Sequence, residues 1–326
     1  MTMKHVLVTG AGGFIGSHLV EKLYERGYKV KAFLHYNSQN NWGWLETSTV
    51  KEKLEIIMGD VRDYDSVYNA MQGCDTVFHL AALIGIPYSY VSPNAYIKTN
   101  VEGSYNILES ARQQKVENII MTSTSETYGT AQYIPIDEKH PMVGQSPYSA
   151  TKIAADQLAI SYFKSFDLPV KIARPFNTYG PRQSSRAIIP TIITQILSGK
   201  KEIKLGNLDP TRDLNFVIDT VNGFLAIAEN DAFNGEIVNI GTGYEISVRD
   251  LVKVIIGIIN TEVQIIEDND RIRPLKSEVE RLFCDSTKLQ TQTAWKPETS
   301  LKKGLEITVE WLKNNYQNYK ADLYSV

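Results

Sequence analysis

The chain has 326 residues with 37 acidic against 34 basic side chains, a formal net charge of −3, so its electrostatics give no reason to expect nucleic acid or an anionic membrane as partner. No apolar run reaches the roughly 18 residues of a membrane span, and no cationic and apolar signal segment precedes Val6, which reads as a soluble, cytoplasmic protein. Cys74 and Cys284 stand far apart, and His5, His18, His35, His79 and His140 show no metal-ligand spacing, so neither a disulfide framework nor a metal site is expected.

A strand-like run, His5–Thr9, passes into Gly10-Ala11-Gly12-Gly13-Phe14-Ile15-Gly16 and then a helical pattern over Ile15–Arg26, closed by Gly27. Gly10 permits a tight turn, Gly13 lets backbone N–H groups approach a diphosphate with no Cβ in the way, and Gly16 allows close helix packing. The diphosphate then sits at the helix N-terminus, beside Phe14 and Ile15, where unpaired N–H groups and the helix dipole favour negative charge. With a strand before it and a helix after it, the run reads as a dinucleotide-binding turn.

The second candidate strand, Lys29–Leu34, runs into His35-Tyr36-Asn37 without the acid that usually bonds the ribose 2′-hydroxyl of NAD. His35 and Asn37 are left to bond a free ribose, or His35 to sit near a 2′-phosphate. No arginine or lysine lies just beyond to neutralise such a phosphate, which favours NAD over NADP. Candidate strands Leu54–Met58, Thr76–Ala81, Asn118–Thr122 and Val170–Ala173 then alternate with candidate helices Tyr64–Met71, Pro93–Gln114 and Tyr148–Phe166. That alternation predicts an α/β fold, a Rossmann-type doubly wound parallel sheet with its ligand crevice outside the carboxyl ends of the strands.

On the last of these helices Tyr148 and Lys152 are four residues apart and therefore share a face. An ammonium close to a phenol lowers the phenol from its usual value of about 10, which makes Tyr148 a candidate general base. Beyond Pro175 the order is less regular: Ile188–Leu197 helical, Leu214–Ile218 extended, Thr220–Ala228 helical, Ile237–Ile240 extended and Leu301–Tyr316 a final amphipathic helix. The expected division is a dinucleotide-binding domain over 1–175 and a smaller C-terminal α/β substrate lobe over 176–326, with crossings between them.

The Thr9–Gly16 turn, Gly59-Asp60-Val61, His79-Leu80-Ala81-Ala82, the Tyr148/Lys152 pair, the run from Arg174 to Arg182, and Arg212-Asp213 together resemble the extended short-chain dehydrogenase/reductases, over nearly the whole chain. The resemblance implies a nucleotide-activated sugar as substrate. It places Asp60, Val61, Leu80, Ala81 and Ala82 at the cofactor, Thr124 beside Tyr148, and Asn177, Arg182, Arg212 and Arg273 at the substrate nucleotide. Arginine suits that task because its planar fork binds phosphate oxygens bidentately. It also implies a homodimer paired through Pro93–Gln114 and Tyr148–Phe166, which carry apolar residues on more than one face: Ile97, Val101, Tyr105 and Leu108 on the first, Ile153, Leu158, Ile160 and Phe163 on the second.

Reactions within that family are separated by the residues after Thr124, here Ser125 and Glu126. Its sugar 4-epimerases usually carry small or neutral residues there. A 4,6-dehydratase oxidises C4, which acidifies the C5 proton, and then needs a carboxylate to take that proton while the C6 hydroxyl leaves; Glu126 has the right type and place. The threonine-serine-glutamate order is similar to that of the GDP-mannose dehydratases, whereas the dTDP-glucose enzymes have aspartate where Ser125 stands. Either Glu126 performs both proton transfers or Ser125 relays one.

Two stretches, Tyr36–Glu46 and Arg271–Glu280, are similar to the dehydratases of bacterial legionaminic acid biosynthesis, which implies a nucleotide-linked N-acetylglucosamine, with GDP favoured over UDP. A 4-epimerase, a UDP-glucuronate decarboxylase and a non-catalytic nucleotide sensor are the alternatives. The sensor would leave Thr124, Tyr148 and Lys152 unexplained.

Overall fold

The apolar runs of the first half pair side by side in parallel, because a helix between each two returns the chain to the same end of the sheet. In the computed structural model, which describes residues 4–319, they form β1 (His5–Thr9), β2 (Lys29–His35), β3 (Glu55–Gly59), β4 (Thr76–His79), β5 (Asn118–Thr122) and β6 (Val170–Pro175). The second half adds β7 (Asn177–Tyr179), β8 (Glu202–Leu205), β9 (Thr211–Phe216), β10 (Ile237–Ile240), β11 (Glu245–Ser247), β12 (Gln264–Glu267) and β13 (Arg281–Leu282). The helices are α1 (Phe14–Glu25), α2 (Tyr64–Met71), α3 (Ile86–Val91), α4 (Pro93–Tyr96), α5 (Gly103–Gln114), α6 (Pro147–Phe166), α7 (Ile188–Leu197), α8 (Val217–Ala228), α9 (Val248–Ile259), α10 (Thr287–Gln292) and α11 (Leu301–Asn315).

Seven strands make one parallel sheet in the order β3-β2-β1-β4-β5-β6-β10. The order reverses between β1 and β4, the place where a doubly wound sheet opens its ligand crevice. One face of the sheet buries Val6, Val8 and Phe78 against Leu19 and Leu23 of α1 and Phe224 and Leu225 of α8. The other buries Leu7, Val77 and Ile119 against α2, α5 and α6. The last strand and α8 come from beyond residue 176, so the chain returns to the sheet after leaving it. A separate core of Ile192, Ile193, Phe216, Leu251, Ile255 and Leu305 fills the second lobe, and Phe14, Ile15 and Trp44 from the first half pack against it.

Several expectations differ from the structure for physical reasons. The strand expected over Thr76–Ala81 ends at His79, because the N–H groups of Leu80 and Ala81 turn to the Thr9 hydroxyl, each at 3.2 Å. The single helix expected over Pro93–Gln114 is interrupted by a π-helical turn over Ile97–Glu102. There Asn100 turns its side chain to the backbone N–H and carbonyl of Leu83, at 2.9 and 3.0 Å, and the Ser104 hydroxyl takes the Asn100 carbonyl. Turns of this kind concentrate at functional sites. The extended segment expected over Leu214–Ile218 closes at Phe216, and α8 begins at once. Helix α9 was not foreseen, although Ser247 caps it by accepting from Asp250 N, Asp250 stands in its first turn, and Leu251, Val252 and Ile255 form one buried face. Among the described residues no helix is long and apolar enough to cross a membrane.

Candidate active site

The glycine turn is shaped by backbone contacts that leave no room for side chains at its two ends. Gly10 adopts φ +68, and a Cβ there would lie 2.8 Å from the Ala81 nitrogen; at Gly16 a Cβ would lie 2.2 Å from the Gly10 oxygen. Gly13 is different: an added Cβ would meet only the Gly10 oxygen, at 3.1 Å. It opens α1 with no side chain capping the helix, so the first-turn N–H groups of Phe14, Ile15 and Gly16 are without a capping side chain. That is a cradle fitted to a diphosphate. Gly12, to which the sequence assigned no task, admits the Tyr36–Glu46 segment: a Cβ there would lie 2.5 Å from the Trp42 oxygen, and Trp44 N donates to Gly12 O at 3.0 Å.

At the end of β2 the His35 ring is exposed, and Nδ1 lies 4.0 Å from Asp60 Oδ2. The acid absent from β2 has a near neighbour across the sheet in Asp60, which directly follows β3. A cation missed in the sequence comes with it, since Arg62 forks onto Asp60 with Nε at 2.9 and 3.0 Å from the two oxygens. This pairing holds the Asp60 carboxyl below its ordinary range and occupies the guanidinium. Asn37 is committed to its own loop, bonding Asn41 N and O at 2.9 and 2.8 Å, so its side chain does not face a ribose. Val61 is buried against Gly103, and its carbonyl holds Asn106 Nδ2. Leu80, Ala81 and Ala82 follow β4 into the crevice beside the turn.

Thr124 follows β5, and its side-chain oxygen accepts from Glu126 N, which starts a 3₁₀ turn over Ser125–Tyr128. Helix α6 is fixed at Ser146 by a capping box with Ser149, which sets Tyr148 in the first turn. Thr124 is hydrogen-bonded to the Tyr148 phenol, the Tyr96 ring stands edge-on to the Tyr148 ring, and Glu126 lies within electrostatic reach of the phenol. Ser125, Glu126, Tyr148 and Lys152 are all buried.

The phenol itself departs from the expectation. Burial pushes Tyr148 up, opposed by the Thr124 hydrogen bond, and burial also lowers Lys152. The Lys152 ammonium donates to the Thr122 carbonyl at 2.5 Å rather than to Tyr148. Helical spacing brings the two groups to one side, but desolvation is the largest influence on each.

In the second lobe Arg212 and Arg273 converge on Glu278, with Nη2 and Nη1 at 3.4 and 3.5 Å from the same oxygen. Arg212 also lies within electrostatic reach of Glu126. Asn177 presents a buried side-chain oxygen with no hydrogen-bond partner. Arg182 is placed elsewhere. Its guanidinium bonds Ser17 at 3.1 Å and both oxygens of Glu21 at 3.0 and 2.9 Å, so it clamps the second lobe to α1 instead of facing the substrate cleft. Glu278 and Asn100 were missed; the first lies inside the Arg271–Glu280 stretch, and the second is a lone asparagine three residues before a helix glycine.

Two histidines of this region stay neutral. Burial pushes His18 down to about 4, helped by Arg182, and burial and the Lys152 charge push His79 down to about 3. Below the ordinary value of about 6.5 the unfolded chain binds protons at both positions and the folded chain does not, so stability is lost as pH falls from there toward 4. The expected slope is about 1.4 kcal/mol per pH unit for each histidine. Urea midpoints measured between neutral and mildly acid pH check it; His18→Gln should flatten the curve, and midpoints independent of pH would contradict it.

The fold and site define a doubly wound dinucleotide-binding protein with a hydroxyl, phenol, ammonium and carboxylate gathered at the crevice. Comparison with known proteins gives the family. The profile of the GDP-mannose 4,6 dehydratase family matches residues 7–308, and the chain belongs to that family, within the extended short-chain dehydrogenase/reductases. It is 34% identical over 315 residues to a putative UDP-glucose 4-epimerase of Methanocaldococcus jannaschii, covering 95% of this chain and 99% of that protein. It is 31% identical over 324 residues to the human dTDP-D-glucose 4,6-dehydratase, covering 97% and 92%. Among solved structures it superposes on DesIV, a dTDP-glucose 4,6-dehydratase from Streptomyces venezuelae with NAD and TYD bound, with TM-score 0.88, 28% identity and coverage of 97% and 99%. It also superposes on the UDP-glucuronic acid 4-epimerase of Bacillus cereus in complex with UDP-glucuronic acid and NAD, with TM-score 0.87, 29% identity and coverage of 96% and 100%.

Proposed function

We propose that the protein is an NAD-dependent nucleotide-sugar 4,6-dehydratase acting on an NDP-N-acetylglucosamine, with GDP favoured, to give the 4-keto-6-deoxy sugar. Dehydratases and epimerases stand at similar distances from this chain, so overall likeness does not separate the two chemistries. The observation that carries the reading is the buried Glu126, set two residues after Thr124 by the turn that closes on the Thr124 hydroxyl and within electrostatic reach of the Tyr148 phenol. Epimerisation at C4 leaves the C5 proton in place and gives that acid no task.

NAD, when bound, accepts the C4 hydrogen with its electrons and returns it at C6. The first-turn N–H groups of Phe14, Ile15 and Gly16 would hold its diphosphate, with Asp60, Val61 and Leu80–Ala82 along the rest of the crevice. Tyr148 takes the proton of the C4 hydroxyl in its phenolate form, which the Thr124 hydrogen bond favours against the effect of burial. Glu126 then takes the C5 proton. The departing C6 hydroxyl is protonated by Glu126 or through Ser125, which is buried beside it. Arg212 and Arg273 receive the substrate diphosphate and are held side by side by their shared contact with Glu278, while Asn177 offers its free oxygen to the nucleotide.

The substrate base and sugar rest on the similarity of Tyr36–Glu46 and Arg271–Glu280 to the legionaminic acid dehydratases. A cytoplasmic homodimer fits the exposed Ile97, Tyr105 and Phe166 on the paired-helix surface. Equimolar GDP- and UDP-N-acetylglucosamine offered together test the assignment: the GDP sugar is consumed first and its product carries a new carbonyl. Equal consumption of both overturns the guanine preference, and consumption of neither overturns the N-acetylglucosamine assignment. Arg212→Lys keeps the charge but loses the fork, and should weaken nucleotide-sugar binding about tenfold or more in a calorimetric titration.

A further inference from the structure

Beneath the reacting side chains lies a buried charged group that the steps above do not use. Asp156 stands one helical turn after Lys152 on α6, hence on the same face, and it is 2% exposed; Arg174 on β6 is fully buried. Asp156 Oδ2 accepts from Ser123 Oγ at 2.6 Å and from Arg174 Nη2 at 2.7 Å. The Arg174 guanidinium lies 4.5 Å from the centre of the Tyr128 ring, and Tyr128 is anchored by donating to Asn239 at 2.8 Å. Ser123 sits between Thr122, whose carbonyl takes the Lys152 ammonium, and Thr124, which holds the phenol. The charged chain thus holds the middle one of three consecutive residues whose neighbours position the reacting groups.

A buried ion pair seldom adds net stability over apolar residues of the same volume, so its placement under Lys152 calls for another account. The groups facing Lys152 are few. Asp156 comes from its own helix, Arg174 from β6, and His79 from β4, where it is neutral; Tyr148 lies one turn before it, with Glu126 beyond the phenol. Of these, Asp156 is the carboxylate that favours the ammonium, whereas Arg174 opposes it. Arginine keeps its proton in any protein environment, so if the balance fails it is lysine that discharges.

We propose that Asp156 is a positioning residue that keeps Lys152 an ammonium inside a dry site, with Arg174 and Ser123 fixing the direction of its carboxylate. The proposal rests on the reading of Tyr148 and Lys152 as the base and its cationic partner. Its test reads Lys152 directly. Protein labelled with carbon-13 at lysine Cε is titrated by NMR, with the Lys152 signal assigned from its loss in Lys152→Arg.

Asp156→Asn should move the Lys152 midpoint down by about one pH unit or more, since it leaves two cations facing each other. Arg174→Met should move it up, toward the ordinary lysine value of about 10.4. The double variant should return close to the parent protein. A merely structural pair would not shift the lysine in opposite directions. An unmoved midpoint in Asp156→Asn, or shifts of the same sign in both single variants, overturns the proposal. If Asp156→Asn does not fold, Arg174→Met decides alone: an upward shift supports the proposal and any other result overturns it. Should the protein dehydrate no sugar nucleotide and still show these shifts, the proposed function fails and the role of Asp156 in the ionisation of Lys152 stands.

Discussion

Glu126→Gln should stop the reaction halfway, with water loss falling about 10²- to 10⁴-fold, the usual contribution of a positioned general base, while oxidation at C4 continues. The substitution keeps the side-chain volume in a buried site, and the Glu126 backbone N–H retains its bond to Thr124. Arg212 retains Glu278 as its counter-charge, so loss of one carboxylate does not leave a bare buried cation to distort the cleft. The expected observation in a single turnover is reduced-cofactor absorbance that rises and persists, with the sugar trapped as its 4-ketone at unchanged C6. Dehydration at the parent rate would remove Glu126 from the mechanism.

Tyr148→Phe should block the reaction one step earlier. The phenol is the group that takes the C4 hydroxyl proton, and its removal should lower C4 oxidation by about 10²- to 10⁴-fold, leaving no reduced-cofactor absorbance when substrate is added. The ring contributes separately. It packs with Ile86 and Tyr96, and its centroid lies 6.2 Å from that of Tyr96 in an edge-on contact. Phenylalanine preserves that packing, so folding stability should change only by about 1 kcal/mol, the worth of one hydrogen bond. The two variants therefore differ in kind: one accumulates reduced cofactor and the other never forms it. If Tyr148→Phe oxidised substrate normally, the base would have to be sought elsewhere.

What could be read from the sequence was what depends on near neighbours in the chain. The parallel sheet was legible because short aliphatic runs alternated with helical patterns, and the glycine turn because its spacing lies within seven residues between a strand and a helix. The Tyr148/Lys152 face was legible from helical spacing alone. Their ionisation was not, because desolvation depends on what the second layer of the fold covers, and the covering of α6 by β5, β6 and the π-helical turn is not a local property. The interruption at Asn100 arises from a loop seventeen residues upstream that its side chain satisfies.

Arginines were the least legible. Arg62, Arg174, Arg182 and Arg212 are indistinguishable as letters, yet one forks onto a neighbouring acid, one is fully buried, one clamps α1, and one faces Glu126. Arg182 even adopts φ +70, a left-handed conformation that costs about 1 kcal/mol or more outside glycine, which its bonds to Ser17 and Glu21 offset. Only the partner, supplied by tertiary structure, tells a substrate arginine from a structural one.

The central claim is that Glu126 turns an oxidation at C4 into a dehydration, and mass measurement of the product formed in heavy water tests it most directly. The C5 proton leaves to Glu126 and is replaced from solvent, so the account expects a sugar nucleotide lighter by one water that carries one solvent deuterium at C5. A product of unchanged mass with no deuterium on carbon would be that of an epimerase and would contradict it.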